Sequence, residues 1–435
     1  DGNDKTFSGV ISGTNGNIIK AGSGTLTLSG ANTYTGTTTI NAGDLTVSGS
    51  LHDSTAVTIA SGADYNVNAS DTVASIEGAG NIVIASSQTL TAGDGNDKTL
   101  SGVISGAGNY IKAGSGTQTL SASNTYTGTT QVSAGTLTVS GSGRLSDSTA
   151  VTVDSGAVYN VAVSDTVASI AGAGSITLGS NTLTSGGSDA STTFSGVISG
   201  TNGNIIKAGT GTLTLTGNNS YTGSTTISAG LLKIIRDDPT SYLAATSGFT
   251  GPGNLTIESS GDDFTADIVT GTHVQLAGTA LGNLIIGKTG NARQIDLSSD
   301  ITTTGTQTYN GPVRLVGGDR TVSTTNSNVI FASTVNSDGT QRALTVTNGT
   351  GDTTFSGAIG GSAPVKSLTI TSDQLTAGAI TLNGALTATL GGSSSITGVI
   401  ANGASTANLV KAGSGTLTLS ASNTYTGTTQ VSAGT

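Results

Sequence analysis

Lys20 to Gly43 reads KAGSGTLTLSGANTYTGTTTINAG, and this stretch decides the fold. Leu26 and Leu28 alternate with Thr25 and Thr27. Period 2 marks a strand with one buried face. Gly residues break the run after a few positions, so the strands are short. A four-residue strand cannot bury its face alone. The stretch returns as KAGSGTQTLSASNTYTGTTQVSAG from Lys112, KAGTGTLTLTGNNSYTGSTTISAG from Lys207 and KAGSGTLTLSASNTYTGTTQVSAG from Lys411. The lysines are 92, 95 and 204 residues apart, so the last interval holds two units. Residues 112–136 and 411–435 differ at one position in 25, Gln118 against Leu417, which implies recent duplication. Copies stacked along one axis bury what a single copy cannot.

Between the copies the same alternation continues, as in Leu45/Val47 and Val57/Ile59. Leu26, Leu28, Leu213, Leu215, Leu417 and Leu419 are therefore expected to point inward, each contributing roughly 1.5–3 kcal/mol relative to exposure. Gln118 takes the place of one of these leucines. It should hydrogen-bond a neighbouring coil or lie at the core margin. At roughly 20–25 residues per coil and strands about 4.8 Å apart, the chain makes about 18–21 coils and extends about 85–100 Å.

Composition agrees. The 435 residues include 67 Gly, only 4 Pro, and no Cys, Met or Trp. Collagen needs far more Pro and Gly at every third position. Without Cys there is no disulfide framework. Gly, Thr, Ser and Val are poor helix formers. No apolar run approaches membrane-spanning length, so no membrane insertion of this segment is expected. The net charge of −10 and 15 scattered basic residues argue against nucleic acid. An acidic, Cys-free surface suits an extracellular protein. The chain starts at Asp1 without Met and reads as part of a longer product.

The organisation expected is a β-helix repeat unit over 1–92, a second over 93–187 and the start of a third over 188–230. Diverged, charge-rich coils follow over 231–300. A different repeat type covers 301–391, and a further unit begins at 392–435 and is cut short.

The pattern K-A-G-[ST]-G-T-L-T-L-x-x-x-N-[TS]-Y-T-G-x-T-x-[IV]-x-A-G resembles the autotransporter-associated β-strand repeat of bacterial type V secreted passengers. It departs at Gln118, where the pattern has Leu. The stretch TQTYNGPVRLVGGDRTVSTTNSNVIFASTVNS, 306–337, resembles repeats of filamentous-haemagglutinin-like exoproteins. The resemblance implies an all-β, right-handed parallel β-helix on or outside a bacterial surface. It also implies service as an adhesin stalk or export scaffold. It supplies no ligand, since function on such folds is local.

Candidate chemistry is sparse. GNLIIGKT, Gly282 to Thr289, fits the phosphate-loop pattern G-x-x-x-x-G-K-[ST], but Leu284, Ile285 and Ile286 read as a strand and no helix follows. AGDGNDKTL, Ala92 to Leu100, approaches the Ca²⁺-binding nonapeptide, with Asp94 and Asp97 as ligand candidates. DGND also occurs at Asp1–Asp4, but the copies lie 93 residues apart rather than in tandem, so a solvated acidic turn is the simpler reading. His52 and His273 are the only histidines, and neither sits in a catalytic pattern. Segment 231–300 holds 12 of the 40 charged residues. A ligand patch would lie there, on Arg236, Asp237, Asp238, Asp262, Asp263 and His273. Otherwise the segment is a diverged pair of coils with a longer loop. The N-x-Y-x-G element recurs at Asn32/Tyr34, Asn124/Tyr126, Asn219/Tyr221 and Asn423/Tyr425. Asn suits a corner cap, and Tyr can cover a coil edge with its hydroxyl in water.

These readings lead to a non-enzymatic structural and adhesive rod of a secreted bacterial surface protein, without cofactor. Its partners would be a host or abiotic surface, or like chains joined end to end. The alternative is a subunit of an extracellular filament or sheath. No ion is required on this reading. EDTA is expected to leave the melting temperature unchanged, and a marked drop reversed by Ca²⁺ would assign the ion to Asp94 and Asp97.

Overall fold

The computed structural model describes residues 2–239, 248–276 and 281–435. All regular elements among them are strands. The chain forms two compact units, Asp1–Gly223 and Ser224–Thr435. Within each, every paired strand runs parallel to its neighbour, so each unit is a parallel β-solenoid.

In the first unit the partners of a residue lie about one coil away in sequence: Leu26 pairs with Leu45, and Leu45 with Tyr65. Four sheets contribute strands to it, the shortest with Asp165–Val167, Thr182–Ser185 and Asn204–Lys207. One contains Lys5–Phe7, Thr25–Leu28, Gly43–Val47, Ala63–Val67, Asn81–Ile84 and Ile104–Gly106. A second begins with Ile18–Lys20, Thr38–Ile40 and Ala56–Ile59 and continues through Thr117–Leu120 and Thr136–Val139 to Val197–Ser199. A third includes Thr89–Ala92, Asn109–Lys112, Thr130–Val132, Ala150–Val153 and Thr212–Leu215. Inward positions hold Ile, Val, Leu and Tyr with essentially no exposure, among them Leu45, Val47, Ile59, Tyr65 and Leu137. Thr, Asn and Ser take the outward positions between them.

In the second unit, one sheet stacks Leu284–Ile286, Gln307–Tyr309, Val329–Phe331 and Thr353–Phe355. Its inward column places Tyr309, Phe331 and Phe355 in one stack, with ring centroids 5.0 and 4.8 Å apart. A second sheet passes through Ile301–Thr303, Arg320–Thr324, Leu344–Thr347, Leu368–Ser372, Ala385–Leu390 and Asn408–Ala412. Coils lengthen where the sequence diverges. Leu255 pairs with Leu284, 29 residues on, which gives this segment the room for longer corners.

Leu28, Leu213 and Leu215 are buried as expected. Leu26, Leu417 and Leu419 keep the inward phase of the alternation but are only half-buried. Leu26 faces Lys5 of the exposed strand Lys5–Phe7 on one side. Leu417 and Leu419 lie in Thr416–Leu419, which pairs on one side with Ser393–Ile396. Gln118 departs from expectation. It is 2% exposed, inside the core, and its Nε2 donates to Thr119 O of its own strand at 3.4 Å rather than to a neighbouring coil.

Corners interrupt the backbone ladder, and side chains replace it there. Asn17 Oδ1 accepts from Thr37 N, Asn109 Oδ1 from Thr129 N, and Asn408 Oδ1 from Thr428 N, each at 2.8 Å. Asp4, Asp97, Asp300 and Asp319 do the same for Thr25, Thr117, Thr321 and Ala343. Each acceptor reaches forward to the next coil.

Leu45→Ala is expected to cost about 2–5 kcal/mol, because a fully enclosed side chain leaves a cavity. Thr27→Ala, on the outward face, should change stability by less than about 0.5 kcal/mol. Urea unfolding of both checks the register, since a one-residue slip would exchange the two results.

Candidate functional site

The repeat stretch builds a shared corner. Its Lys ends a strand at an inward position: Lys20 pairs with Ile40, and Lys112 with Val132. Lys20, Lys112, Lys207 and Lys411 are 5%, 1%, 1% and 1% exposed. A buried ammonium needs acceptors. Lys112 Nζ donates to Ala113 O at 2.6 Å, Gly114 O at 2.9 Å and Ala134 O at 3.1 Å. Lys411 repeats this with Ala412, Gly413 and Ala433 at 2.8, 3.0 and 3.3 Å. Lys20 donates to Gly22 O and Ala42 O, both at 2.8 Å. Thus the ammonium joins the K-A-G turn to the x-A-G turn of the next coil. Gly114 and Gly135 adopt φ of +66° and +64°, and a Cβ on Gly135 would fall 2.5 Å from Gly114 O. Glycine is required for the two turns to meet. Burial lowers the pKa of Lys112, against the opposing pull of Asp94 and Asp97. The sequence reading missed this lysine. Its signal was the strand phase, which puts a Lys on the apolar side of I-I-K and Y-I-K.

The Asn of N-x-Y-x-G is a three-coil cap. Asn32 Oδ1 accepts from Ile11 N at 3.0 Å, and Nδ2 donates to Gly30 O and to Ser50 O at 2.9 Å. Asn124 joins Ile104 and Arg144 in the same way. Asn219 and Asn423 accept from Ile198 N and Ile400 N at 2.8 Å. The Tyr differs from expectation. Tyr34, Tyr126 and Tyr221 are inside the core. Tyr34 and Tyr126 Oη meet Thr38 and Thr130 Oγ1 at 2.5 Å, not water. The Thr four residues on supplies a partner, so the whole ring can be buried. Tyr425 makes the same bond to Thr429 at 2.6 Å in an exposed coil.

Two buried carboxyls were also missed. Asp71 and Asp165 are 4% and 3% exposed. Asp71 accepts from Tyr65 Oη at 2.7 Å and from Leu51 N and Thr72 N at 3.1 Å. Asp165 accepts from Tyr159 Oη, Leu145 N and Thr166 N. Burial pushes Asp71 up to about 6 despite these bonds. The recurring S-D-T-V-A-S-I was the visible signal, with Asp at the inward phase.

The charge-rich segment is drawn into the coil corners. Arg236 is buried. Its charge is felt by Asp237 and Asp238, and burial lowers its pKa. Asp237 Oδ1 accepts from Ser260 N at 2.7 Å, and Asp263 Oδ1 from Ala292 N at 2.5 Å. Both therefore cap the following coil. Asp262 is exposed. His273 Nδ1 accepts from Val269 N at 3.1 Å, and burial lowers its pKa against the pull of Asp238 and Asp296. Asp296 holds Arg314 with two bonds, at 2.9 and 2.6 Å. Arg236, Asp237, Asp238 and His273 are thus linked electrostatically, while Asp263 serves the next corner.

Asp97 Oδ1 accepts from Thr117 N at 2.7 Å, and this bond holds its pKa low. Asp94 Oδ1 accepts from Asn96 N at 2.7 Å. No group of three or more His, Cys, Asp or Glu among the described residues could hold a metal ion. At the phosphate-loop match, Leu284–Ile286 is a strand and Lys288 Nζ donates to Gly261 O at 3.2 Å.

Residues 18–47, 111–139, 205–234 and 409–435 match the passenger-associated-transport-repeat family. The chain is 33% identical over 466 aligned residues to the adhesin BmaC autotransporter of Brucella suis biovar 1 (strain 1330). That match covers 100% of this chain and 13% of the relative, so the chain spans a small part of that protein's length. No solved structure matches the chain.

The buried carboxyl predicts a pH dependence. Asp71 moves from an ordinary 3.8 to about 6 on folding, so the folded state holds the proton more tightly. Its contribution is fully present below the unfolded value and is lost as pH rises through about 6. The melting-temperature difference between wild type and Asp71→Asn should therefore shift against wild type across that interval. Parallel curves over the interval would show that Asp71 does not titrate there.

Proposed function

We propose that this autotransporter passenger segment, extracellular on the bacterial surface, is a non-enzymatic spacer that presents adhesive regions carried elsewhere on the same protein. One observation carries the reading. The three repeat copies that begin in the first unit turn in different directions. The T-x-T-L strand of the first, Thr25–Leu28, lies in the six-stranded sheet. That of the second, Thr117–Leu120, lies in the ten-stranded sheet, and that of the third, Thr212–Leu215, in the sheet that also holds Thr89–Ala92 and Asn109–Lys112. A receptor-binding repeat would gain avidity from showing one face repeatedly to one surface. These copies show the same outward residues to different sides. What they share is inward: the lysine, the Asn cap, the Tyr and the second Leu of the T-x-T-L strand.

The charged side chains support the same reading. Asp237, Asp263 and Asp97 are engaged in capping the next coil, which leaves them poorly placed as acid–base groups. The relative's name, an adhesin, motivates the adhesive context.

Deleting residues 1–435 from the full secreted protein should lower adhesion. Replacing them with an unrelated parallel β-solenoid of equal coil number should restore it to wild-type level at equal surface density. If the replacement is displayed normally but does not restore adhesion, the segment itself binds, and the spacer reading fails.

A further inference from the structure

Parallel coils of this composition have a register problem. The strand Thr117–Leu120 pairs with Thr136–Val139 as Thr117↔Thr136, Gln118↔Leu137, Thr119↔Thr138 and Leu120↔Val139. A one-residue slip is forbidden, because it would turn the core face outward. A two-residue slip is not. It would set Thr119 against Thr136 and Leu120 against Leu137. Thr would still face Thr, and Leu would still face an apolar side chain. Neither hydrophobic burial nor the backbone ladder distinguishes the two registers in this stretch.

The lysine does. Lys112 takes two of its three carbonyls, Ala113 O and Gly114 O, from its own turn, and the third, Ala134 O, from the next coil. That third acceptor arrives only when the two A-G turns stack directly. The turns immediately precede the two strands whose register is ambiguous. In the slipped register the ammonium would stay enclosed with a ligand missing, which is costly for a charge. We propose that the K-A-G lysine is a register lock: a buried cation that selects one alignment of successive coils and contributes little net stability. In coiled coils a single buried polar residue fixes register in this way at a cost in stability. The recurrence at Lys20 and Lys411 places the same lock at other copies.

Disulfide trapping tests this, since the segment has no cysteine of its own. Register partners on adjacent strands lie about 4.8 Å apart, within disulfide reach. Positions 119 and 136 lie about 8 Å apart in the native register, out of reach, and come opposite only after the slip. The pairs Thr119→Cys/Thr138→Cys and Thr119→Cys/Thr136→Cys are introduced into the full secreted protein, each with Lys112 or with Lys112→Met. The displayed protein is then oxidised. With Lys112 only the native pair should close. With Lys112→Met the slipped pair should gain at least about tenfold, the ratio given by about 1.4 kcal/mol. The melting temperature of the natively cross-linked fraction should not fall. Native cross-linking alone in the Met variant would overturn the proposal. Failure of the native pair to close with Lys112 would also overturn it, and so would a marked loss of melting temperature, because the lysine would then be a stabilising element.

Discussion

The structure depends on one constraint: the N–H and C=O groups of each coil must be met by the next coil, including where the strands stop. Along the flat faces the parallel ladder does this without help from side chains. At the corners it cannot, because the backbone turns and its groups point apart. An unmet buried backbone group costs about as much as a lost hydrogen bond. The chain answers with short side chains. Asn17, Asn109 and Asn408 reach forward one coil, and Asn32 and Asn124 reach both ways. This explains why a protein so poor in charge spends its Asp residues on corners. Asp97, Asp237, Asp263 and Asp319 each accept a backbone N–H from the next coil.

Much of the fold was legible. Alternation of Leu with Thr at Thr25–Leu28 and Thr212–Leu215 gave strand phase, and the recurrence of K-A-G gave the solenoid. The candidate site was less legible, for a physical reason. Period-2 reasoning treats inward as apolar, so an inward Lys, Asp or Gln is passed over. Lys112, Asp71 and Gln118 all sit at that phase. The burial of Lys112 and Asp71 is possible because partners arrive from another coil or a neighbouring turn, at positions that a linear reading does not bring together. Ala134 is 22 residues from Lys112. The Tyr residues failed for a related reason. The Thr that meets Tyr34 lies four residues away, across the corner, and it removes the need for water.

The charge-rich segment shows the converse. Its composition drew attention to Arg236, Asp237, Asp238 and His273, and the structure does couple their charges. Yet the same segment has the longest register offset of the second unit among the pairs described, from Leu255 to Leu284. Longer corners expose more backbone groups, and more caps are needed to meet them. Capping by Asp237, Asp263 and Asp267 accounts for part of the local rise in Asp content.

The length of the repeat then bears on function. Successive partners in the first unit are about 20 residues apart, as for Leu45 and Tyr65, whereas the copies recur every 92 or 95 residues. The second number is not a whole multiple of the first. Each copy therefore begins on a different side of the coil, and near-identical sequences occupy three different sheets. Selection for a shared outward surface would favour a commensurate repeat. Selection for coil stacking is indifferent to direction, because corners are equivalent from the inside. On the proposed spacer reading, the mismatch between repeat and coil length is what a segment retained for how its coils join would show.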